Sequence, residues 1–280
     1  MTDQKIGQDA DRRRSGPRLK VVLFCGGLGL RMRDYADGIP KPLVPIGGRP
    51  ILWHIMKYYA YWGHRDFILC LGHGSDLVKE FFLNYNEALP NDFVLDRGQK
   101  RLDLLKTDLS TWTITFVDTG VESPIGERLR LVAPYLAGEE MFLANYSDGL
   151  TDLPLPQMID RFAKSGNTAS FLSVRPNVSY HFVTTDSQTG RVIGLDDHET
   201  KGLRVNGGYF VLRTKIFDYL KPGEDLVVAP FQRLLKERSL MAYQYDGFWV
   251  SMDTFKDRQR LEDLVIKGNQ PWNLWQPKRS

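Results

Sequence analysis

The sequence predicts an α/β protein, a three-layer, Rossmann-like fold with a mixed, mostly parallel sheet and helices on both faces. Two short apolar runs, at residues 21–25 and 66–71, are each followed at once by glycines. Segments with apolar residues at helical spacing come after them. Strands that alternate with helices at this distance form βαβ units, whose strands lie parallel in one sheet.

The composition is that of an ordinary globular protein. Of the 280 residues, 42% are hydrophobic and 25% are charged, and the formal net charge is +3. This charge is too small to favour nucleic acid or a membrane surface as a partner, and no apolar run approaches the ~20 residues that span a bilayer. The N-terminus has no apolar signal core, and Cys25 and Cys70 lie in apolar runs. We therefore expect a cytoplasmic protein with free thiols.

Residues 1–17 predict a disordered tail, because they contain almost no large apolar side chains and carry three consecutive arginines at 12–14. That arginine run is either solvated or in contact with an acidic partner. No internal repeat or low-complexity linker divides residues 18–280. This predicts a single domain.

The first glycine turn has the residues of a phosphate-binding loop. Gly26, Gly27 and Gly29 follow the first apolar run, Arg31 comes soon after, and Lys41 lies between two prolines. Glycines let the backbone N–H groups approach an anion, and the two cations supply charge. The glycine spacing fits neither a Walker loop nor the dinucleotide fingerprint, which argues against an NAD-binding oxidoreductase. The alternative is a tight turn with Lys41 in solvent.

Apolar spacing also places the elements that follow. A helix at residues 50–62 has its apolar side chains on one face, and the strand at 66–71 ends at Gly72, at the ligand edge of the sheet. Ser75 is expected to cap the next helix, residues 75–85. The same patterns predict strands at 93–95, 102–105, 113–117, 141–144, 169–174 and 241–245, a hairpin at 183–195, and helices at 127–136, 230–237 and 254–267.

An acidic residue follows the strand at 141–144 at the same edge of the sheet. Asp148 lies between the strand end and Gly149. Carboxylate oxygens are ligands that Mg²⁺ takes, usually one or two together with phosphate oxygens and water. The sequence therefore predicts that Asp148 binds Mg²⁺, with Asp152 as a weaker candidate.

The motifs GGLGLRM, from Gly26, and PKPLVPIGGRPILWHIM, from Pro40, resemble the N-terminal signature of sugar-1-phosphate nucleotidyltransferases. The likeness extends from about residue 20 to about residue 272 and is closest to glucose-1-phosphate cytidylyltransferases. It implies a GT-A-like fold with a nucleotide-binding half, about 18–150, and a sugar-binding half, about 151–280. It also implies a homo-oligomeric enzyme that joins CTP, or another nucleoside triphosphate, to a sugar-1-phosphate. Trp272 and Trp275 look exposed and are candidates for a subunit contact.

The resemblance gives roles to the nucleotide side. Arg31 is implied to hold the leaving pyrophosphate, and Lys41 to bridge the α-phosphate and the incoming phosphate. The segment TG…IGERL is similar to the base-recognition loop of cytidylyltransferases, in which Arg128 is the candidate donor to the cytosine carbonyl. Its alternative role is a solvated helix arginine. The implied nucleotide-binding residues are Gly26, Gly27, Gly29, Leu30, Arg31, Gly72, Thr119, Gly126 and Arg128.

The resemblance also pairs Asp148 with Asp253, from a late Met-Asp-Thr motif, as the two Mg²⁺ ligands. The alternative role of Asp253 is the N-cap of the helix that follows it. For residues 206–208, the alternative to sugar binding is a bulge in an edge strand. The implied sugar-binding residues are Tyr146, Asn206, Gly207, Gly208 and Trp249.

Three departures from the family pattern leave alternatives open. Leu30 replaces a threonine, Ser147 replaces a glycine, and the Glu-Lys-Pro motif of the sugar site is absent. Its place is taken by DDHETKG at residues 196–202, where Lys201 is the nearest substitute. The alternatives are another phosphate acceptor, UTP or dTTP in place of CTP, or a nucleotide-binding regulatory subunit without turnover.

Overall fold

The computed structural model describes residues 17–27, 38–105, 107–176, 182–196 and 202–276. Within these ranges no helix has both the length and the apolar character needed to cross a membrane. The tail expected at residues 1–17 lies outside the described residues, except for Pro17.

Strands and helices alternate along most of the chain. The strands are β1 (Lys20–Phe24), β2 (Pro45–Ile46), β3 (Arg49–Pro50), β4 (Asp66–Leu71), β5 (Phe93–Asp96), β6 (Arg101–Leu104), β7 (Thr113–Asp118), β8 (Met141–Asn145), β9 (Gly149–Thr151), β10 (Ala169–Val174), β11 (Phe182–Thr185), β12 (Val192–Asp196), β13 (Val205–Arg213), β14 (Leu240–Tyr245) and β15 (Trp249–Ser251). The α-helices are α1 (Ile51–Tyr61), α2 (Ser75–Leu83), α3 (Ile125–Leu131), α4 (Leu155–Ala163), α5 (Ala229–Lys236) and α6 (Phe255–Ile266). The 3₁₀ turns are Lys41–Leu43, Ala133–Leu136 and Thr214–Tyr219.

Seven strands form the central sheet, in the order β14-β10-β13-β8-β1-β4-β7. Strands β8, β1, β4 and β7 are parallel, β14 is parallel to β10, and β13 is antiparallel to both of its neighbours. The chain moves outward from β1 through β4 and β7 and then returns to the other side of β1 as β8. This makes a switch point between β1 and β8, where the carboxyl ends of the strands open a crevice for ligands.

The sheet is buried on both faces. Val21 and Leu23 of β1 belong to an apolar cluster that includes residues of α1, α4 and α6, whereas Val22 and Phe24 belong to a second cluster with residues of α3 and α5. Successive side chains of a strand point to opposite faces, so a strand covered on both sides has a continuous apolar sequence. The predicted three-layer fold with a mixed, mostly parallel sheet is confirmed.

Two helices differ from the sequence prediction in where they begin or end. Ser75 is the first residue of α2 and not its N-cap. The N-cap position is occupied by Gly74, which has a left-handed conformation with φ of 65°. The helix expected at 127–136 begins at Ile125 and ends at Leu131, and a 3₁₀ turn follows. Pro134 lies in that turn and has no N–H to donate, so the α-helix cannot continue through it.

The N-terminus of α6 is not capped by Asp253. Thr254 is the N-cap, and its side chain exchanges hydrogen bonds with Asp257 in a capping box. The capping residue is therefore Thr254, and the interpretation of Asp253 as the cap is wrong.

The C-terminal tryptophans pack on the protein itself. Trp272 is 1% exposed, stacks on Phe248 and donates from Nε1 to His54 Nδ1 at 3.4 Å. Trp275 lies edge-on to Trp53, with 5.8 Å between the ring centroids. The segment after α6 folds back over α1, so the expectation that Trp272 is exposed for a subunit contact is wrong.

Candidate active site

A cavity of about 630 Å³ opens at the carboxyl ends of β1 and β8, at the switch point of the sheet. It is lined by residues from six parts of the chain, which are distant in sequence. They are Phe24, Cys25, Gly27, Lys41, Pro42, residues 121–125, Arg128, residues 146–148, Asp225, Val227 and Asp253.

A lysine between two carboxylates lies on one wall of this cavity. Lys41 Nζ is 2.7 Å from Asp148 Oδ2 and 2.8 Å from Asp253 Oδ1. Lys41 and Asp253 are 212 residues apart in the sequence. We call Asp148 and Asp253 the acidic pair. The structure brings these three predicted residues together.

A short antiparallel ribbon explains how the acidic pair meets. Strand β9 follows Asp148, strand β15 precedes Asp253, and the two strands pair with Ser251 opposite Gly149. Beyond this pair, the Met252 N–H donates to the Asp148 carbonyl at 2.7 Å. The sequence analysis missed both strands, because each has only three residues and neither has a clear alternation.

Two prolines fix the backbone on each side of Lys41. Pro40 has φ of −62°, and its carbonyl accepts a hydrogen bond from the Leu43 N–H at 2.8 Å. Pro42 is buried inside the 3₁₀ turn. Proline restricts φ and lowers the conformational freedom of the chain, so the turn presents Lys41 to the acidic pair in one orientation.

The electrostatics of this wall keep Lys41 charged. Burial alone would lower the pKa of the Lys41 ammonium, but Asp148 and Asp253 outweigh it and raise the pKa above its ordinary 10.5. Burial raises the pKa of Asp148 above its ordinary 3.8; Lys41 opposes this rise and Asp253 adds to it. A group that replaces Lys41 between the carboxylates therefore has to carry positive charge.

The acidic pair also suits a divalent cation that binds with a nucleotide. One oxygen from each carboxylate converges on a single point, which Lys41 Nζ marks. In the part of the chain that the structure describes, no group of three or more His, Cys, Asp or Glu side chains could hold a metal ion. Two carboxylates plus phosphate oxygens and water are a usual donor set for Mg²⁺.

Arg128 is buried at the back of the cavity and is 3% exposed. Nη1 donates to the Leu71 carbonyl at 3.1 Å and to Thr119 Oγ1 at 2.8 Å, and Nη2 donates to the carbonyls of Gly26 and Val121, both at 3.0 Å. All four terminal N–H groups are thus used by the protein itself. The alternative of a solvated helix arginine is wrong. The assignment to a cytosine carbonyl stays a prediction, and in this arrangement Arg128 joins the ends of β1, β4 and β7.

The packing of the Arg128 guanidinium requires a glycine at position 26. A Cβ atom at Gly26 would overlap the guanidinium of Arg128 and approach the Gly72 nitrogen to 2.8 Å. Gly72 adjoins the same guanidinium, and Gly126 packs against the Glu224 carbonyl in the first turn of α3. None of Gly26, Gly72, Gly126 and Thr119 is part of the cavity lining, whereas Gly27 is.

Of the predicted sugar-binding residues, Tyr146 lines the cavity, and Asn206 and Gly208 contact Tyr146. Asn206 Nδ2 donates to the Tyr146 hydroxyl at 3.3 Å. Gly208 has φ of 74°, and a Cβ there would come within 2.8 Å of the Tyr146 ring. Trp249 Nε1 donates to the Gly207 carbonyl at 2.9 Å, outside the cavity lining. Strand β13 is internal to the sheet, so the expectation of an edge strand is wrong, although the pairing of β10 with β13 is irregular beside Gly207 and Gly208.

Several predicted residues lie outside the described ranges. They are Gly29, Leu30, Arg31 and Lys201.

Asp152 accepts hydrogen bonds from other parts of the protein and has a structural role. Its Oδ1 accepts hydrogen bonds from the Tyr245 hydroxyl at 2.6 Å and from the Phe248 N–H at 2.9 Å. It does not line the cavity. These bonds hold the segment between β14 and β15, so the interpretation of Asp152 as a metal ligand is wrong.

Two cavity residues were missed as functional candidates. Ser147 was noted only as a departure, yet it has φ of 65° and is 1% exposed. A left-handed conformation costs a residue with a Cβ about 1–2 kcal/mol. Asp225 lines the cavity on the side of Tyr146, and no local sequence pattern distinguishes it.

The loop that carries Asp225 is firmly held. Arg233 Nη1 donates to Glu224 Oε2 and to the Tyr219 carbonyl, both at 2.6 Å. Asp225 Oδ1 accepts from the Val227 N–H at 3.1 Å. The Asp225 carboxylate is therefore positioned before any ligand arrives.

Comparisons with known proteins find relatives over most of the chain. A family model described as nucleotidyl transferase matches residues 20–257. Glucose-1-phosphate cytidylyltransferase of Salmonella typhi is 36% identical over 260 residues, which cover 92% of this chain and 100% of the relative. A Bacillus subtilis (strain 168) protein named "Probable glucose-1-phosphate cytidylyltransferase" is 38% identical over 259 residues, with the same coverage. The structure of UTP-bound UGPase from Acinetobacter baumannii superposes with a TM-score of 0.65 at 19% identity, over 94% of this chain and 95% of that chain, which shows a shared fold.

Proposed function

The chain belongs to the nucleotidyl transferase family, and we propose that it transfers the cytidylyl group of CTP to glucose-1-phosphate, giving CDP-glucose and pyrophosphate. One observation carries the proposal: the Lys41 ammonium lies between Asp148 and Asp253 in the switch-point cavity. The likeness to named glucose-1-phosphate cytidylyltransferases over their whole length supports the choice of substrates.

The reaction needs charge and position more than proton transfer. An oxygen of the sugar phosphate attacks the α-phosphorus of CTP, and the bond from that phosphorus to the β-phosphate oxygen breaks. The attacking phosphate is already anionic, so no residue has to remove a proton, and catalysis rests on positioning and charge stabilisation. The Lys41 ammonium has three N–H donors, and when a divalent cation takes its place between the carboxylates these donors become free for phosphate oxygens. Arg31 is assigned to the leaving pyrophosphate.

We assign Mg²⁺ to the acidic pair. Asp148 and Asp253 would hold it together with phosphate oxygens, and it would supply positive charge to the phosphates. The geometry in support is the convergence of one oxygen from each carboxylate on one point.

The two substrates are assigned to the two sides of the switch point. We place the nucleotide against the ends of β1, β4 and β7, where Gly27 and residues 121–125 line the cavity. This wall belongs to the nucleotide-binding half, about 18–150. We place the sugar on the side of the cavity where Tyr146 and Asp225 lie. A carboxylate accepts hydrogen bonds from hydroxyl groups, so Asp225 suits the sugar hydroxyls in a chain without the family's lysine motif.

We also propose that the chain forms a homo-oligomer in the cytoplasm. The hairpin of β5 and β6 exposes Phe93, Val94 and Leu95 by 42%, 52% and 48%. An isolated two-stranded hairpin is marginally stable in water, so a second copy of the chain would cover these side chains. The free thiols Cys25 and Cys70 suit a reducing compartment.

Pyrophosphate release with Mg²⁺ tests the function. CTP, UTP, dTTP, ATP and GTP should each be combined with a panel of sugar-1-phosphates that includes glucose-1-phosphate. We expect release with CTP and glucose-1-phosphate above all other pairs. Release with CTP and only another acceptor would overturn the sugar assignment, and release with UTP or dTTP would overturn the base assignment. CTP binding without release in any pair would indicate a regulatory protein.

A further inference from the structure

Ser147 has an unfavourable backbone conformation at a buried position. It is one of three non-glycine residues with positive φ among the described residues. The other two, Lys100 and Arg238, are exposed and lie in turns, whereas Ser147 is 1% exposed and lines the cavity. Residues held in such conformations concentrate at functional sites, because the surrounding structure has to maintain them.

Neighbouring residues hold Ser147 in this conformation. Its N–H donates to Asn145 Oδ1 at 2.7 Å, and Asn145 Nδ2 in turn donates to the Tyr59 hydroxyl at 3.4 Å. The Tyr146 N–H donates to the Gly208 carbonyl at 3.1 Å. The Met252 N–H donates to the Asp148 carbonyl at 2.7 Å on the other side of Ser147, so the backbone fixes the direction of its Cα–Cβ bond.

That direction leads across the switch point. The Cys25 thiol at the end of β1 donates to Ser147 Oγ, after the end of β8, with 3.5 Å between sulfur and oxygen. Both side chains line the cavity. A hydroxyl has one hydrogen to donate besides its acceptor capacity. With the Cys25 thiol as the donor in this contact, the Ser147 hydrogen has no acceptor among the described residues. This buried donor is thus left for a group inside the cavity.

We propose that the Ser147 hydroxyl donates a hydrogen bond to an oxygen of the ribose-phosphate part of the bound nucleotide. Two features favour the nucleotide over the sugar acceptor. Ser147 contacts Cys25, which directly precedes the glycine turn, and it adjoins Asp148 of the acidic pair. The inference rests on the proposed function only in requiring a nucleoside triphosphate, since every such nucleotide has these oxygens.

Two substitutions separate the hydroxyl from the backbone strain. Ser147→Ala removes the hydroxyl and keeps the strain, whereas Ser147→Gly removes both. We expect both variants to bind CTP roughly 3- to 10-fold more weakly by calorimetry without a sugar phosphate, as for the loss of one hydrogen bond. Ser147→Gly should also raise the unfolding midpoint by about 2 to 4 °C relative to Ser147→Ala.

A matched control is Ser170→Ala. Ser170 is a buried serine of β10 whose hydroxyl has no partner among the described residues, and it lies outside the cavity lining. We expect it to bind CTP like the wild type. In the Ser147 variants, the KM for CTP should rise while the KM for the acceptor stays within about twofold, which a merely structural role would not produce.

Undiminished CTP binding in both Ser147 variants would overturn the inference. If the wild type binds UTP, dTTP, ATP or GTP instead of CTP, the same loss is expected with that nucleotide, although the assignment of CTP would have failed. If the wild type binds a nucleotide but releases no pyrophosphate, the proposed turnover fails and the binding comparison still decides the role of Ser147. Binding of none of the five nucleotides would overturn both.

Discussion

The Met252 N–H donates a hydrogen bond to the Asp148 carbonyl at 2.7 Å. This bond closes the ribbon of β9 and β15, and the next residue along the chain from Met252 is Asp253. The acidic pair is thus brought together by backbone pairing. Asp148 and Asp253 adjoin the paired ends of β9 and β15, and a shift of one strand against the other would break that pairing.

Loss of either carboxylate should strongly lower turnover and keep the fold. For Asp148→Ala and Asp253→Ala we expect kcat to fall by roughly 100-fold or more, because each removes a charged group preorganised for the phosphates. Steady-state pyrophosphate release gives kcat, and circular dichroism reports the fold.

Asp152→Ala is the matched control for these variants. Asp152 holds Tyr245 and Phe248 outside the cavity, so this variant should unfold more easily and keep most of its kcat. Near-normal turnover in Asp148→Ala with Mg²⁺ present would contradict the assignment of the acidic pair.

Removal of Lys41 should have two separate effects. Lys41→Ala should lower kcat by about 100-fold, since positive charge at the phosphates is lost. It also leaves two carboxylates facing each other without a cation, so Mg²⁺ should raise the unfolding midpoint of this variant more than that of the wild type. A thermal-unfolding titration with Mg²⁺ measures the second effect. Wild-type turnover in Lys41→Ala would mean that the Pro-Lys-Pro turn is only structural.

Arg128 should contribute strongly to stability. Arg128→Ala removes the four hydrogen bonds of a buried guanidinium and leaves a cavity in its place, so we expect the free energy of unfolding to fall by about 3 kcal/mol. Arg130→Ala, two residues away with a more exposed ion pair to Glu127, should change it little. Denaturant unfolding compares the two.

Gly26→Ala tests the same contact from the other side. Its Cβ would overlap the Arg128 guanidinium, so it should be destabilised as well. Unchanged stability in Arg128→Ala together with lost CTP binding would show instead that Arg128 serves the base alone.

Stability should fall as the pH drops from 7 to 5. Burial lowers the pKa of His54 and of His64 from 6.5 to about 4. Between these two values the unfolded chain binds a proton that the folded chain does not, so the free energy of unfolding decreases with falling pH. The expected loss is about 2 kcal/mol for each histidine.

Histidine variants test which residue causes this pH dependence. His64 Nδ1 accepts a hydrogen bond from the Leu19 N–H at 3.1 Å, and an asparagine can also accept it, so His64→Asn should remove about half of the dependence. His73→Asn, at an exposed position, should retain all of it. Denaturant unfolding at pH 5, 6 and 7 measures the effect. Equal pH dependence in His64→Asn and the wild type would contradict the account.

The sequence was a good guide where one chain segment determines the structure. The strands at 66–71 and 169–174 are found within the predicted bounds, because continuous apolar runs between turns identify buried strands. The sheet, its parallel core and its ligand edge follow from these runs.

The sequence was a poor guide where distant segments determine the structure. The pairing of β9 with β15 is not visible in three-residue strands, and burial of Trp272 depends on how the chain folds back over α1. Arg128 was predicted to contact the base or, as the alternative, to be a solvated helix arginine, and its buried position was missed because most of its acceptors are backbone carbonyls that carry no sequence signal. Asp152 and Asp148 are close in sequence, and only tertiary packing separates their roles.

The most direct test of the central claim is to identify the product formed by the wild-type chain from CTP and glucose-1-phosphate with Mg²⁺. Mass spectrometry and a pyrophosphate assay on the same sample should find CDP-glucose and pyrophosphate in equal amounts, and both should form more slowly by roughly 100-fold or more with Asp148→Ala. Absence of CDP-glucose from the wild-type sample, with CTP bound to the protein, would contradict the account.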